Sequence, residues 1–510
     1  MLSELQRAVI LAALVMGAFA LAFVDGIGPG DAEHYLSFAR AWAEGGTPLG
    51  TNHWQLRWPM IWSLAGGMAV FGTAQTTGSL VCLAWSAALV GVTFWGARRS
   101  MGPRAGNLAA ILAAGSAYLV VVAADLRIYA PEIALGAAAC WAMVRGLEAG
   151  RARWLLAAGA LAGAAWLCRE TSAALPVLFG LLSLARFRRP CARLFASSAG
   201  FLAVLSAEGA AYALVAGDPL YRLRISAGHE AAGASAGGQT GADASLVGAT
   251  QAPLTESPLA ALLSTPVVTP FLLACAALLL CAWLVRGRPL RLAGMGWTGA
   301  VFFGGAALSF VLSSYGLRLE TPRYVPLLPY AVTLGAAWAL SVIGRARGQR
   351  WTMAGAAGWL ALSAAAADFR DYDEYADVFW LARHADEADR LVTDPVTALR
   401  VRAMRAQSGR PPLRIAGRRE ARPGDLAAVT RADGYAGGLR PLPCWTLEAE
   451  VFARRRSVTR DAVRASGLGA LSGAVAKRVV PTEPLRLYRV EDCGPGPVGR
   501  SAGPPLTFRA

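Results

Sequence analysis

Asp31, Glu33 and His34 stand in the stretch GPGDAEHYLSFARAWAEGG, directly after an apolar segment at about 8–24 that is long enough to span a bilayer. Ionisable side chains at the end of a membrane span are costly to hold, so they default to functional candidates. A carboxylate there can draw a proton from a hydroxyl. Similar mixtures of acid, base and aromatic recur in separate segments along the chain. The segment 25–77 also holds His53 and Arg57, DLRIYAPE at 125–132 holds Arg127, Tyr129 and Glu132, and CRETS at 168–172 holds Arg169 and Glu170. A long stretch runs from GDPLYR at 217 to about 258, and YGLRLETPRY at 315–324 holds Arg318, Arg323 and Tyr324. Carboxylates suit hydroxyls and protons, and guanidinium forks suit phosphate oxygens, so such a set fits an anionic, hydroxyl-rich substrate.

These segments need a membrane scaffold to bring them together, and composition supplies one. Of 510 residues, 55% are hydrophobic and only 16% charged, which describes an α-helical polytopic membrane protein with one soluble appendage. Beyond the first, apolar runs long enough to cross lie at about 78–97, 105–124, 128–147, 153–168, 171–186, 194–216, 259–285, 291–314, 323–344 and 351–367, giving about eleven spans. The two around CRETS are short. RWPMIWSLAGGMAVFG, at about 58–73, reads either as a twelfth span or as an apolar helix in the interface.

The net charge of +16 is carried almost wholly by Arg in short clusters between apolar runs, which is a topology signal and not a nucleic-acid footprint. With 58–73 counted as interfacial, the clusters at 98–104, 145–153, 186–193, 286–291 and 345–350 all share one face. The positive-inside rule makes that face cytoplasmic, puts the N-terminus inside, and turns the acid-bearing segments 25–77 and 217–258 outward. The expected division is a transmembrane domain over 1–367 and an extracytoplasmic α/β domain over 368–510, ending in a disordered Pro-rich tail. The placement expected is the inner membrane of a bacterium. The weak n-region, with Arg7 beside Glu4, argues against a cleaved signal peptide.

Other features narrow the chemistry. The four His residues have no short metal-ligand spacing, so no cofactor is expected, and a divalent cation held by loop carboxylates has no support in the sequence. Six of eight Cys lie in or beside apolar runs, whereas Cys444 and Cys493 fall in the outer domain, where an oxidising compartment would allow them to bridge. The small, polar stretch AAGASAGGQTGADASL within 217–258 reads equally as a lid over bound substrate or as a connector. Several site candidates have structural readings beside the functional ones. Asp31 suits a helix N-cap, Asp25 a solvated span-end acid, and Glu132 the dipole of a helix begun near Pro131. Arg169 and Glu170 suit mutual pairing, and Arg323 suits snorkelling to head groups.

The order of short motifs over about 1–345 resembles the GT-C class of polyprenyl-phosphate-sugar glycosyltransferases, which includes protein O-mannosyltransferases and lipid A aminoarabinose transferases. That class has a first span followed by D-E-x-x-Y-x-x-x-A, and here Asp31, Ala32, Glu33, Tyr35 and Ala39 fit the spacing, with Ala32 in place of the second acid. Further echoes are Pro59, Pro131 with Glu132, Arg169 with Glu170, GDPLY at 217–221, and Arg323 with Tyr324. The resemblance implies transfer of a sugar from a polyprenyl-phosphate donor to a hydroxyl of a glycolipid, glycan or protein acceptor, with Asp31 as base. Glu33, His34, His53, Arg57, Arg127, Tyr129, Glu132, Arg169, Glu170, Arg318, Arg323 and Tyr324 are the expected substrate contacts. Low proton affinity of a departing phosphate removes the need for a strong general acid, and a single displacement inverts the anomeric carbon. The alternative from another class is a transporter or flippase of lipid-linked saccharides, opposed by the few charges near midplanes and by the lack of an inverted half-repeat.

Overall fold

A computed structural model describes residues 31–46, 49–72, 75–116, 119, 126, 128–187, 190–226, 259, 268–286, 295–316, 325, 327–369, 375–385, 390–407, 410–430, 439, 441–451 and 485–492. The chain divides into two compact units, Met1–Arg370 with Arg456–Ala476, and Asp371–Arg455 with Lys477–Ala510.

The first unit is helical. Its helices are α1 (Asp31–Ala43), α2 (Trp58–Phe71), α3 (Gln75–Met101), α4 (Pro103–Ala114), α5 (Tyr129–Ala149), α6 (Ala152–Cys168), α7 (Ala174–Arg186), α8 (Pro190–Ala216), α9 (Thr269–Arg286), α10 (Gly296–Phe310), α11 (Leu327–Arg347) and α12 (Gln349–Phe369). Every apolar run of the sequence that falls among the described residues is helical over most of its length. Among the described residues, four stretches are long and apolar enough to cross a membrane: Thr77–Met101, Phe195–Ala216, Gly296–Ser313 and Leu327–Arg347. Helix α2 has 14 residues, a rise of about 21 Å, which is short of a hydrocarbon core about 30 Å thick. The expected first span at 8–24 lies outside the described residues.

Burial sorts these helices. In α11 the whole run from Pro329 to Ile343 is buried, whereas Phe195, Leu202 and Leu214 of α8 are exposed apolar side chains, as a lipid-facing helix requires. A polar knot fixes the centre: the Trp141 indole N–H donates to the Tyr330 hydroxyl at 3.0 Å, and that hydroxyl lies 2.7 Å from the Thr93 Oγ1. Helices α6 and α8 approach closely because Gly159 and Gly200 meet the backbone of the opposite helix at Ser197 and Leu156, where any Cβ would collide. Close approach through small residues is the usual means by which helices pack in lipid, where no hydrophobic force pulls them together.

The helices alternate in direction, which separates two kinds of chemistry. Helix α5 starts at Tyr129 and ends at the turn containing Arg145, Gly150 and Arg151; α6 returns to Cys168. A helix of 21 residues carries those ends about 30 Å apart. Arg-bearing turns among the described residues gather at one end: Trp95 of α3 packs on Trp154 of α6, and Arg193 donates to the Gly150 carbonyl; the cluster at 286–291 lies largely outside the described residues.

The second unit carries a five-stranded mixed sheet of order β2-β1-β3-β5-β4, from β1 (Leu391–Val392), β2 (Ile415–Ala416), β3 (Leu426–Val429), β4 (Thr446–Val451) and β5 (Leu485–Arg489). Strand β1 runs parallel to β2 and β3, while β5 is antiparallel to β3 and β4. Alternate residues serve opposite faces, as the pleat demands: Leu391 and Ala428 pack with Phe379 and Val401 of the helices α13 (Tyr375–His384) and α14 (Pro395–Gln407), and Val392 and Ala427 pack with Trp445. Cys444 is disulfide-bonded; Cys493 and the tail lie outside the described residues.

Candidate active site

The site is built at the end of the bundle away from the Arg-bearing turns. Four segments distant in sequence meet there: the turn 50–57 between α1 and α2, the start of α5, the junction Arg169–Ala173 between α6 and α7, and residues 217–226 after α8. Glu170–Ala173 forms a single 3-10 turn that allows α6 to reverse into α7. The α6–α8 glycine contact then brings the residues after Ala216 against the end of α6.

Arg222 ties these pieces together. Its side chain is buried and donates to Glu170 Oε1 at 3.0 and 3.1 Å, to Glu208 Oε1 at 3.2 Å, and to the carbonyls of Leu56, Leu167 and Trp166, each at 3.0 Å. The first-turn segment is thus bound to the end of α6 and to α8 by one guanidinium. Tyr221 adds a bond from its hydroxyl to the Gly50 carbonyl at 2.9 Å, and Ser226 donates to Glu170 at 3.2 Å. Burial works to raise the Glu170 carboxyl, but attraction from Arg222 and Arg57 outweighs it and holds the group down at about 2.

A second cluster lies beside it. Arg57 is buried and donates to the Cys168 carbonyl at 3.1 Å. Glu132, in the first turn of α5, accepts from Thr171 at 3.1 Å and Ser172 at 3.4 Å through Oε1, while its buried Oε2 has no hydrogen-bond partner. That carboxyl lines a narrow crevice with Gly136, Thr171, Ser172, Ser309 and Leu327. Arg169 stacks over the Tyr129 ring at 5.3 Å, so Tyr129 and the arginine stand side by side at the entrance to α5. On the first segment, His34 stacks on Trp54 at 4.6 Å and His53 lies 4.0 Å from the same indole, so α1 and the turn after it share an aromatic platform.

Of the residues singled out by sequence, Arg57, Tyr129, Glu132, Arg169 and Glu170 therefore gather around the α5 start and the α6–α7 junction, and His34 and His53 share Trp54. Mutual pairing of Arg169 and Glu170 gives way to a Glu170–Arg222 ion pair, because the α6–α8 packing delivers a deeper cation. Asp31 begins α1, one turn before His34, but its side chain and that of Glu33 lie outside the described residues, as do Asp25, Arg127, Arg318, Arg323, Tyr324 and the stretch 227–258. Sequence reasoning passed over Glu208 and Arg222. Glu208 was legible as an acid inside the apolar run 194–216, a position that demands a partner, and Arg222 closes GDPLYR. Among the described residues, no three of His, Cys, Asp and Glu come within reach of one metal ion.

The comparisons with known proteins bear on the same region. Residues 59–214 match the family of dolichyl-phosphate-mannose-protein mannosyltransferases. No curated protein sequence matches the chain. Among solved structures, ArnT from Cupriavidus metallidurans bound to undecaprenyl phosphate aligns with 82% of this chain and 87% of its own at 15% identity and a TM-score of 0.49. The Archaeoglobus fulgidus oligosaccharyltransferase, in complex with zinc and sulfate, aligns with 80% of this chain and 62% of its own at 11% identity and a TM-score of 0.44. The matched segment runs from α2 through α8 and contains Glu132, Arg169, Glu170 and Glu208, so by sequence as well as by motif order the chain resembles the GT-C class of polyprenyl-phosphate-sugar glycosyltransferases.

Proposed function

We propose that this protein is an integral membrane glycosyltransferase that moves a sugar from a polyprenyl-phosphate donor to a hydroxyl of an acceptor on the extracytoplasmic side. The observation that carries the reading is the convergence of Arg57, Arg169 and Glu132 with the segment that follows Asp31 at one end of the bundle, opposite the Arg-bearing turns. Membrane-spanning scaffolds make a charged cluster of this kind expensive, and a phosphate leaving group beside a hydroxyl acceptor uses both signs of charge.

In the reaction, Asp31 takes the acceptor hydroxyl proton as the acceptor oxygen bonds to the anomeric carbon. The bond from that carbon to the phosphate oxygen breaks, and the electron pair leaves with the lipid phosphate. Arginines of the outer segments, with Arg169, Arg127 and Arg323 in that role, meet the charge that develops on the departing group. One displacement inverts the anomeric carbon. The acceptor class is a glycolipid, glycan or protein hydroxyl, and the sites read from Glu33, His34, His53, Tyr129, Arg318 and Tyr324 serve its hydroxyls and the sugar.

The test is turnover of a polyprenyl-phosphate sugar by the purified full chain, beside Asp31→Asn. Removing a general base lowers the rate about 10²–10⁴-fold while leaving donor binding in place. Wild-type protein that binds the lipid-linked sugar without consuming it, or carries it across a bilayer intact, would replace this reading with the transporter one. Unchanged turnover in Asp31→Asn would remove Asp31 from the base role.

A further inference from the structure

The opposite end of the bundle holds a second concavity that the proposed transfer reaction does not use. The turn between α3 and α4 is sharp because Gly102 has φ 95°, a left-handed backbone that favours glycine. The returning α4 lies so close to α3 that a Cβ on Gly106 would come 2.7 Å from Arg98 Cα. Against this turn comes the last turn of α11. Between them lies a pocket of about 270 Å³ lined by Met101, Gly102, Pro103, Arg104, Ser341 and Arg345.

Three properties of this pocket point to one ligand chemistry. Arg104 and Arg345, more than two hundred residues apart in sequence, both face it, and among the described residues no carboxylate lines it. The Arg-bearing turns 98–104, 145–153, 186–193 and 345–350 contain one acid, Glu148, which pairs with Arg145 at 2.9 Å. Finally, two helices of membrane-crossing length, Thr77–Met101 and Leu327–Arg347, both end at its rim. A site at the ends of two spans lies at head-group depth, where an anion is available at high local concentration as part of a lipid.

We infer that this pocket is a binding site for the phosphate head group of an anionic membrane lipid, with Arg104 and Arg345 as its paired cations. Guanidinium forks meet phosphate oxygens in a bidentate manner. The site is independent of the glycosyl-transfer reading, since neither arginine belongs to the cluster around Glu132 and Arg222.

Native mass spectrometry of the full chain in mixed micelles tests it, with dioleoylphosphatidylglycerol and dioleoylphosphatidylcholine as probes. Wild type should retain phosphatidylglycerol selectively. With the charge-assisted contacts of both guanidiniums gone, the Arg104→Gln/Arg345→Gln double variant should retain it about 30-fold more weakly. Arg99→Gln/Arg347→Gln removes the same charge from the same end but outside the pocket lining, and should leave retention near wild type. Equal losses in the two double variants would show a diffuse surface potential and overturn the site. Retention of inorganic phosphate with no preference between the lipids would overturn the lipid assignment. Both pairs lie on exposed positions, so folding is checked simply by unchanged thermal unfolding.

Discussion

Arg222 is the residue on which the outer end of the bundle depends most. It is buried, and its guanidinium satisfies two carboxylates and three backbone carbonyls from three separate segments. Truncating one partner of a buried ion pair costs more than the pair contributes, because the other charges stay behind without compensation. Arg222→Met should lower stability by about 3–5 kcal/mol, read as a reduced unfolding midpoint in detergent, and Glu208→Gln in the Met background should restore part of it by removing an orphaned acid. Glu170 supplies the pH dependence. Its carboxyl is held down at about 2 from an ordinary 4.5, so the contribution of the pair is fully present above about 4.5 and is lost as pH falls through about 2. The difference in unfolding midpoint between wild type and Glu170→Gln should therefore be constant around neutrality and close between 4.5 and 2. A difference that instead grew on acidification would contradict the assigned ion pair. Arg169 and Glu170 were visible as candidates because CRETS interrupts two apolar runs. Which cation serves Glu170 was not visible, since the answer lies some fifty residues onward in a different helix.

At the scale of elements, helix identity followed from apolar run length, and helix spacing from glycines. Gly159 of α6 meets the Ser197 backbone, Gly200 of α8 meets the Leu156 backbone, and Gly163 lies where a Cβ would come 2.8 Å from Val204. Gly159→Val should force the two helices apart at a cost of about 1–3 kcal/mol, typical of overpacking. It should also weaken turnover, since the α6–α8 contact is what presents Arg222 to Trp166 and Leu167. Thermal unfolding and turnover measured on the same preparation check both; turnover kept at wild-type level in a destabilised Gly159→Val protein would separate helix spacing from the site. Helix α2 has 14 residues, fewer than the roughly 20 of a membrane-crossing helix, a shortness it shares with α4 and α7, and its Ser63 hydroxyl accepts from the Trp85 indole of α3 at 3.1 Å.

The whole molecule combines a helical unit whose two ends differ in chemistry with a sheet-bearing unit of separate core. Proposed orientation puts the Arg-bearing turns in the cytoplasm and residues beyond about 368 outside. A single cysteine introduced at Glu450, an exposed position on β4, should react with a membrane-impermeant maleimide in intact cells, whereas one at Arg350 should react only after permeabilisation. The reverse pattern would turn the site to the cytosol and end the proposed orientation. The Cys444 disulfide fits the outward placement, because disulfides persist in oxidising compartments.

Composition and run length alone determined that the chain is a membrane bundle of helices, because a bilayer admits few ways to satisfy a backbone and each leaves a long apolar record in the sequence. Arg clustering likewise marked one set of turns as sharing a face, since that signal is written locally at each span end. The arrangement of Glu132 against Thr171 and Ser172, the capture of Glu170 by Arg222, and the pocket between Arg104 and Arg345 were decided only by tertiary packing. Each joins side chains from helices whose neighbours are set by small-residue contacts and crossing geometry, and no local run of residues records which helix will lie beside which.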